Sequence, residues 1–109
     1  MIVILPPSFQ IRDHAAERFL ERIIGRDFYT TEDIKVAIEI IRNILLNRAL
    51  KKRLLGQNQI QLKYRNAIFV YDKDTNYIIT AYPDDKSKHK VEWIYKFPAA
   101  LHFEGQIGP

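Results

Sequence analysis

From Arg12 to Ile24 the apolar residues recur at helical spacing. Ala15, Ala16, Phe19, Leu20 and Ile23 fall on one side of a 3.6-residue period, while His14, Arg18 and Arg22, at i, i+4 and i+8, line the flank beside it. Pro6-Pro7-Ser8 offers an entry with Ser8 as its cap, and Gly25 a stop, so the pattern predicts a first helix over residues 9 to 24. Thr30 with Asp33 three residues on resembles a capping box, Asp replacing the usual Glu. A second helix then runs along the seam Ile34, Ile38, Ile41 and Leu45. Its pattern continues through Leu50 and Leu54 to Gly56, long enough to predict a break near Asn43 to Asn47. At its end, Lys51-Lys52-Arg53 reads as a solvated helix terminus or, as a second choice, as a phosphate-contacting patch.

After Gly56 the period changes from 3.6 to 2. Ile60, Leu62 and Tyr64 alternate with Gln59, Gln61, Lys63 and Arg65, the mark of a half-buried strand. Ala67 to Tyr71 suits a central strand, Asp72 to Asn76 a turn, and Tyr77 to Tyr82 a third strand that Pro83 ends. Pro83 to Lys90 is a polar loop, and Val91 to Tyr95 is predicted to add a fourth strand. The tail, with Gly105, Gly108 and Pro109, is expected to be loose. The whole is read as one α+β domain over residues 1–109, with its core at about 9–97. Two N-terminal helices pack on one face of an antiparallel meander of three to four strands, leaving the other face to water or a ligand.

The 109 residues are 47% hydrophobic and 28% charged, a balance that suits one folded core and argues against disorder. There is no cysteine, which excludes disulfides and thiolate metal sites. A net charge of +4 favours an anionic partner, nucleic acid first. The apolar run Met1 to Leu5 is too short for a signal or a membrane span, so no membrane span is expected.

There is no glycine-rich phosphate loop and no zinc spacing. Asp72, Asp74, Asp84 and Asp85 lie in turn-like segments, where Asp is favoured for backbone reasons, so neither metal nor cofactor is expected. His14, His89 and His102 are scattered along the chain. The remaining chemistry is metal-free acid–base work on RNA, which carries its own nucleophile in the 2′-hydroxyl. His14 can serve as base or acid, with Arg18 and Arg22 holding a phosphate. Thr80 and Tyr82 share a strand face and can orient a phosphate oxygen, and Lys63 and Arg65 share another. The same residues also fit a plain surface: a solvated helix flank with Arg18 paired to Glu17 or Glu21, and Thr and Tyr placed by strand preference.

Two stretches together sharpen the choice. His14-Ala15-Ala16-Glu17-Arg18-Phe19-Leu20-Glu21-Arg22 opens the chain, and Tyr64, Ala67-Ile68-Phe69-Val70-Tyr71-Asp72 and Ile78-Ile79-Thr80-Ala81-Tyr82-Pro83 follow two helices later. Over residues 12 to 83 this order resembles the barnase/EndoU/colicin/RelE-like RNase superfamily, the small RNase domains of polymorphic and contact-dependent growth inhibition toxins and their phage relatives. The resemblance implies a metal-independent endoribonuclease, acting on RNA such as tRNA, with a 2′,3′-cyclic phosphate product. It matches His14, Arg18, Thr80 and Tyr82 to catalytic positions. Arg22 and Lys63 are its weaker matches, for RNA binding; Arg65 and Lys51, Lys52 and Arg53 join them on charge alone, the basic second helix having no counterpart in the family. The resemblance also implies a cognate immunity or antitoxin protein and action in the cytoplasm, either as a freestanding protein or after delivery as the C-terminal domain of a secreted protein. The alternative is a non-catalytic phage or bacterial module that grips nucleic acid or an acidic protein through its basic surface. Neither reading fixes an oligomeric state.

Overall fold

Two-residue alternation from Gln59 to Pro83 folds as the expected meander, but the sheet it seeds is wider. The structure, a computed structural model, describes residues 5–84 and 92–104. Its elements run in the order β1 (Gln10–Ile11), α1 (Asp13–Arg18), a π-helical turn (Phe19–Ile24), α2 (Thr31–Asn47), β2 (Lys51–Leu54), β3 (Gln59–Tyr64), β4 (Ala67–Asp72) and β5 (Tyr77–Pro83). Two 3-10 helices, Glu92–Lys96 and Pro98–His102, follow. The described residues form a mixed five-stranded sheet in the order β1-β5-β4-β3-β2. All neighbours are antiparallel except β1, which runs parallel to β5.

The α+β class and the helices-on-one-face layout agree with the sequence reading; several boundaries do not. The predicted first helix begins instead as a strand. Gln10 N donates to Asn76 O at 2.9 Å and Arg12 N to Ile78 O at 3.0 Å, so the edge of β5 captures the chain before a helix can start. Arg12, not Ser8, occupies the N-cap, and the Ser8 hydroxyl accepts from Asn76 Nδ2 at 3.0 Å. The second helix ends at Asn47, at the predicted break, with Arg48 extended. Lys51-Lys52-Arg53 is therefore not a helix terminus but the outermost strand, β2, where pairing with β3 outweighs the helical pattern. Most of the predicted fourth strand is the 3-10 helix Glu92–Lys96, whose Trp93 and Ile94 are buried. Val91 and the tail from Gly105 lie outside the described residues.

The apolar face of the first helix matches its predicted seam, whereas that of α2 is rotated from it: Ile41 and Leu45 are buried, but Ile34 and Ile38 are only partly so, and Val36, Ile40 and Ile44 complete the face. Ala15, Ala16, Phe19, Leu20 and Ile23 are fully buried, together with Ala37, Ile40, Ile41 and Ile44 of α2 and Leu62, Phe69, Ile78 and Ala81 of the sheet. Phe19 stacks on Phe69 with ring centroids 5.9 Å apart and tilts against Trp93 at 6.4 Å. Trp93 also meets Tyr64 edge-on at 5.4 Å and Phe97 at 6.3 Å, and its indole N–H donates to Asn66 Oδ1 at 2.7 Å. This cluster joins the first helix, the central strand and the C-terminal segment.

At the other end of the core, Thr30 and Asp33 form the predicted capping box. Asp33 is only 1% exposed, and its second oxygen accepts from Glu104 N at 2.7 Å. Arg26 Nη1 lies 3.4 Å from the same carboxylate, while Nη2 donates to Glu104 O at 2.7 Å. One buried charge thus caps α2 and ties down residues 103–104.

The register of β4 against β5 slips once: Val70 pairs with Thr80, but Tyr71 pairs with Ile78. Ile79 is the extra residue, a β-bulge that resets the alternation of the strand. Ile78 and Ala81 both face the core, three apart instead of two, and Thr80 and Tyr82 are turned to the outer face. Deleting Ile79 would leave Ile78 inward, Thr80 outward, Ala81 inward and Tyr82 outward in strict alternation, so every face is kept. The deletion is expected to cost little more than Ile79→Ala, which should cost under about 1.5 kcal/mol. Urea denaturation of both variants measures the difference, and a loss of several kcal/mol for the deletion alone would mean that Ile79 is not the extra residue.

Candidate functional site

Because α1, the π-helical turn and α2 pack on the face carrying Leu62, Phe69, Ile78 and Ala81, the register fixes what stands on the opposite, outer face. One row across the sheet is Lys51, Lys63, Ile68 and Tyr82; the next is Arg53, Gln61, Val70 and Thr80. Lys51 and Lys63 stand directly opposite each other on neighbouring strands, a like-charge pair that weakens pairing and that an anion would relieve. Lys52 alternates to the other side and is exposed there.

Two clefts open on this face. One, of about 410 Å³, is lined by Arg53, Gln61, Lys63, Ile68, Tyr82, Pro83 and Asp84. Within it Gln61 Nε2 donates to the Tyr82 hydroxyl at 2.6 Å, and Lys63 Nζ pairs with Asp84. Asp84 is itself placed by its backbone N–H, which donates to Asn66 O at 2.9 Å. The other cleft, of about 360 Å³, is lined by Ala49, Lys51, Lys63, Tyr64 and Arg65. Arg65 sits in the two-residue turn between β3 and β4 with φ 53, and its guanidinium lies 5.6 Å from the Tyr64 ring centroid. Left-handed backbone is costly for any residue with a Cβ other than Asn or Asp, so arginine here comes at the expense of stability.

Of the residues singled out in the sequence, the structure brings Lys63, Tyr82 and Arg53 to the first cleft and Lys51, Lys63 and Arg65 to the second. Thr80 shares the outer face. His14 is exposed in the first turn of α1 and lines neither cleft; it follows β1, at the sheet edge opposite β2 and next to β5. β1 and β5 run parallel and are joined by the Arg12–Ile78 hydrogen bond. His14 lies two residues past that bond along one chain, and Thr80 two residues past it along the other. Arg12, at the same edge, lies 4.6 Å from the Tyr77 ring centroid.

Arg18 and Arg22 are placed differently. Arg18 Nη1 donates to Glu21 Oε1 at 2.6 Å, and the Tyr29 hydroxyl donates to Glu21 Oε2 at 2.6 Å. Arg22 is exposed on the π-helical turn, whose wider winding breaks the straight i, i+4, i+8 stripe expected of a uniform helix. Among the described residues no three His, Cys, Asp or Glu side chains converge as a metal site. Asp72 Oδ1 accepts from Asp74 N and Oδ2 from Thr75 Oγ1, both at 3.2 Å, the turn-closing role expected of it. His102 is exposed on the last 3-10 helix, and Asp85 and His89 lie outside the described residues.

Gln61 is legible in the sequence only as a polar position alternating with Ile60 and Leu62, and Asp84 only as a turn residue or, less favoured, a metal ligand beside Asp85. The cross-strand register gives both a place. No protein-family model, curated protein or solved structure matches the chain.

Two outcomes follow from these contacts. The hydrogen bond to Glu21 holds the Tyr29 hydroxyl protonated and pushes its pKa up to about 12. Hydrogen bonds from Tyr29 and then Arg18 hold Glu21 below its ordinary value of 4.5. The Tyr29 contribution to stability is therefore present below pH 10, its unfolded value, and lost as the pH rises towards 12. That of Glu21 is present above pH 4.5 and lost as the pH falls through its lower folded pKa. Ultraviolet titration should show late ionisation of Tyr29 and of Tyr71, the latter raised by burial and by Asp72, and Tyr29→Phe should remove the first of these; an unchanged titration would break the assignment. Arg65→Asn is expected to raise stability by about 0.5–1 kcal/mol, read by thermal unfolding, and to weaken anion binding at the second cleft.

Proposed function

We propose that the chain is a metal-independent endoribonuclease of toxin type that lays RNA across the outer face of its sheet. One observation carries this reading. The bulge at Ile79 turns Thr80 and Tyr82 onto the face where Lys51, Arg53 and Lys63 stand, and the parallel pairing of β1 with β5 starts the His14 helix beside the strand that carries Thr80 and Tyr82, at the sheet edge opposite β2. Lysine and arginine there attract the phosphodiester backbone and stabilise the charge that develops on the phosphoryl oxygens. His14 takes the proton of the 2′-hydroxyl as that oxygen bonds to phosphorus, or delivers one to the departing 5′-oxygen. The products are a 2′,3′-cyclic phosphate and a free 5′-hydroxyl. Thr80 and Tyr82 orient the phosphate. Arg18, held by Glu21, is a weaker candidate than Lys63 or Arg53 for the phosphate contact. Transfer RNA is one substrate of this kind, the cytoplasm the site of action, and an immunity protein the partner such an activity requires.

A non-catalytic grip on nucleic acid is the second reading, favoured by the absence of His14 from the lining of both clefts. Incubation of purified protein with total RNA and with tRNA in EDTA, beside His14→Ala, separates the two. Cleavage that falls about 10²- to 10⁴-fold in His14→Ala supports the enzyme with His14 as its acid or base. Cleavage unchanged in the variant removes His14 from the mechanism. Salt-sensitive binding with no product supports the second reading.

A further inference from the structure

We infer that the cleft between β3 and β5 is a subsite for one unpaired nucleotide, with the base seated over Ile68 against Gln61 and Tyr82 and its phosphate on Lys63 and Arg53. The inference rests on the reading that RNA lies on the outer face, and it adds which form of RNA the face accepts. At about 410 Å³ the cleft is within the range of small-ligand sites, and its lining is divided in the way a nucleotide is divided. Ile68, only 8% exposed, gives it an apolar floor, the Tyr82 ring an aromatic wall, and Arg53 and Lys63 a cationic rim.

The polar groups of the cleft are only half used. Gln61 Nε2 donates to the Tyr82 hydroxyl, and that bond fixes the amide against the ring. It leaves a second Nε2 hydrogen, the carbonyl Oε1 and the Tyr82 hydroxyl hydrogen with no partner among the described residues. A side-chain amide presents a donor beside an acceptor, and so does the Watson–Crick edge of each base. That edge is engaged in a duplex and open in a single strand, so an amide at the base of a cationic cleft selects unpaired RNA. The aromatic wall adds stacking, which every base supports.

Asp84 gives the subsite a competitor of its own. It pairs with Lys63, on the rim where a phosphate would sit, and its backbone N–H is anchored to Asn66 O. An incoming phosphate takes the place of one carboxylate contact, and removing the carboxylate charge should favour the phosphate.

The test uses the full chain and a fluorescent 2′-O-methyl oligonucleotide, which lacks the nucleophile and is not consumed. Its affinity is compared with that of its duplex and of an abasic oligonucleotide of equal charge. The single strand is expected to bind about tenfold more tightly than either. Gln61→Leu, close in volume and without the amide, should erase most of that margin and leave abasic binding unchanged. Tyr82→Phe should keep most of it, and Tyr82→Ala should lose it. Lys63→Ala should weaken all three ligands alike, and Asp84→Asn should tighten them severalfold. Far-ultraviolet circular dichroism and thermal melting check that each variant is folded. Equal binding of single strand, duplex and abasic strand, unmoved by Gln61→Leu, would overturn the subsite and leave a phosphate groove, with the nuclease reading intact. No binding of any of the three would overturn both.

Discussion

One inserted residue decides what this sheet displays. An antiparallel strand with one buried face alternates strictly, and Ile78 is committed to the core against Tyr71. With Ile79 in strict alternation, Thr80 and Tyr82 would follow Ile78 inward and Ala81 would face out. The slip between Val70 and Tyr71 lets a single strand supply Ile78 and Ala81 to the core and two hydroxyl-bearing residues to the opposite face. The outer-face rows, the Gln61–Tyr82 hydrogen bond and the placement of Asp84 all follow from that register.

The core holds the register in place from the other side. Phe19, Phe69 and Trp93 meet where the first helix, the central strand and the C-terminal segment converge. Aromatic contacts of this kind add to the burial of their large apolar area. Asp33 fastens the far end, satisfying the start of α2 and the backbone of Glu104 with one buried carboxylate. The C-terminal 3-10 helices are thus part of the packed unit.

Electrostatically the outer face works against its own stability. Lys51 opposite Lys63, and an arginine with left-handed backbone at the β3–β4 turn, are both unfavourable in an isolated fold. Asp84 relieves part of this by pairing with Lys63. Concentrated positive charge beside an aromatic ring and a partly engaged amide is a combination suited to a polyanion that carries flat rings, and RNA is one.

The sequence by itself determined the α+β class, the apolar face of the first helix, the capping box at Thr30 and Asp33, the break at Asn47 and the course of the meander. Each of these is a local pattern, a period or a cap, written in neighbouring residues. It also paired Thr80 with Tyr82, since residues two apart on a strand share a face. Only the tertiary structure decided which face that was, because a bulge leaves no mark in residue order. Capture of Gln10–Ile11 by the edge of β5, and of Lys51–Leu54 by β3, likewise depends on partners more than 65 residues away in one case and across a hairpin in the other. In both segments, pairing with a waiting strand edge outweighed the local helical pattern. Gln61 and Asp84 were unremarkable in the sequence for the same reason: their role comes from what the register sets beside them.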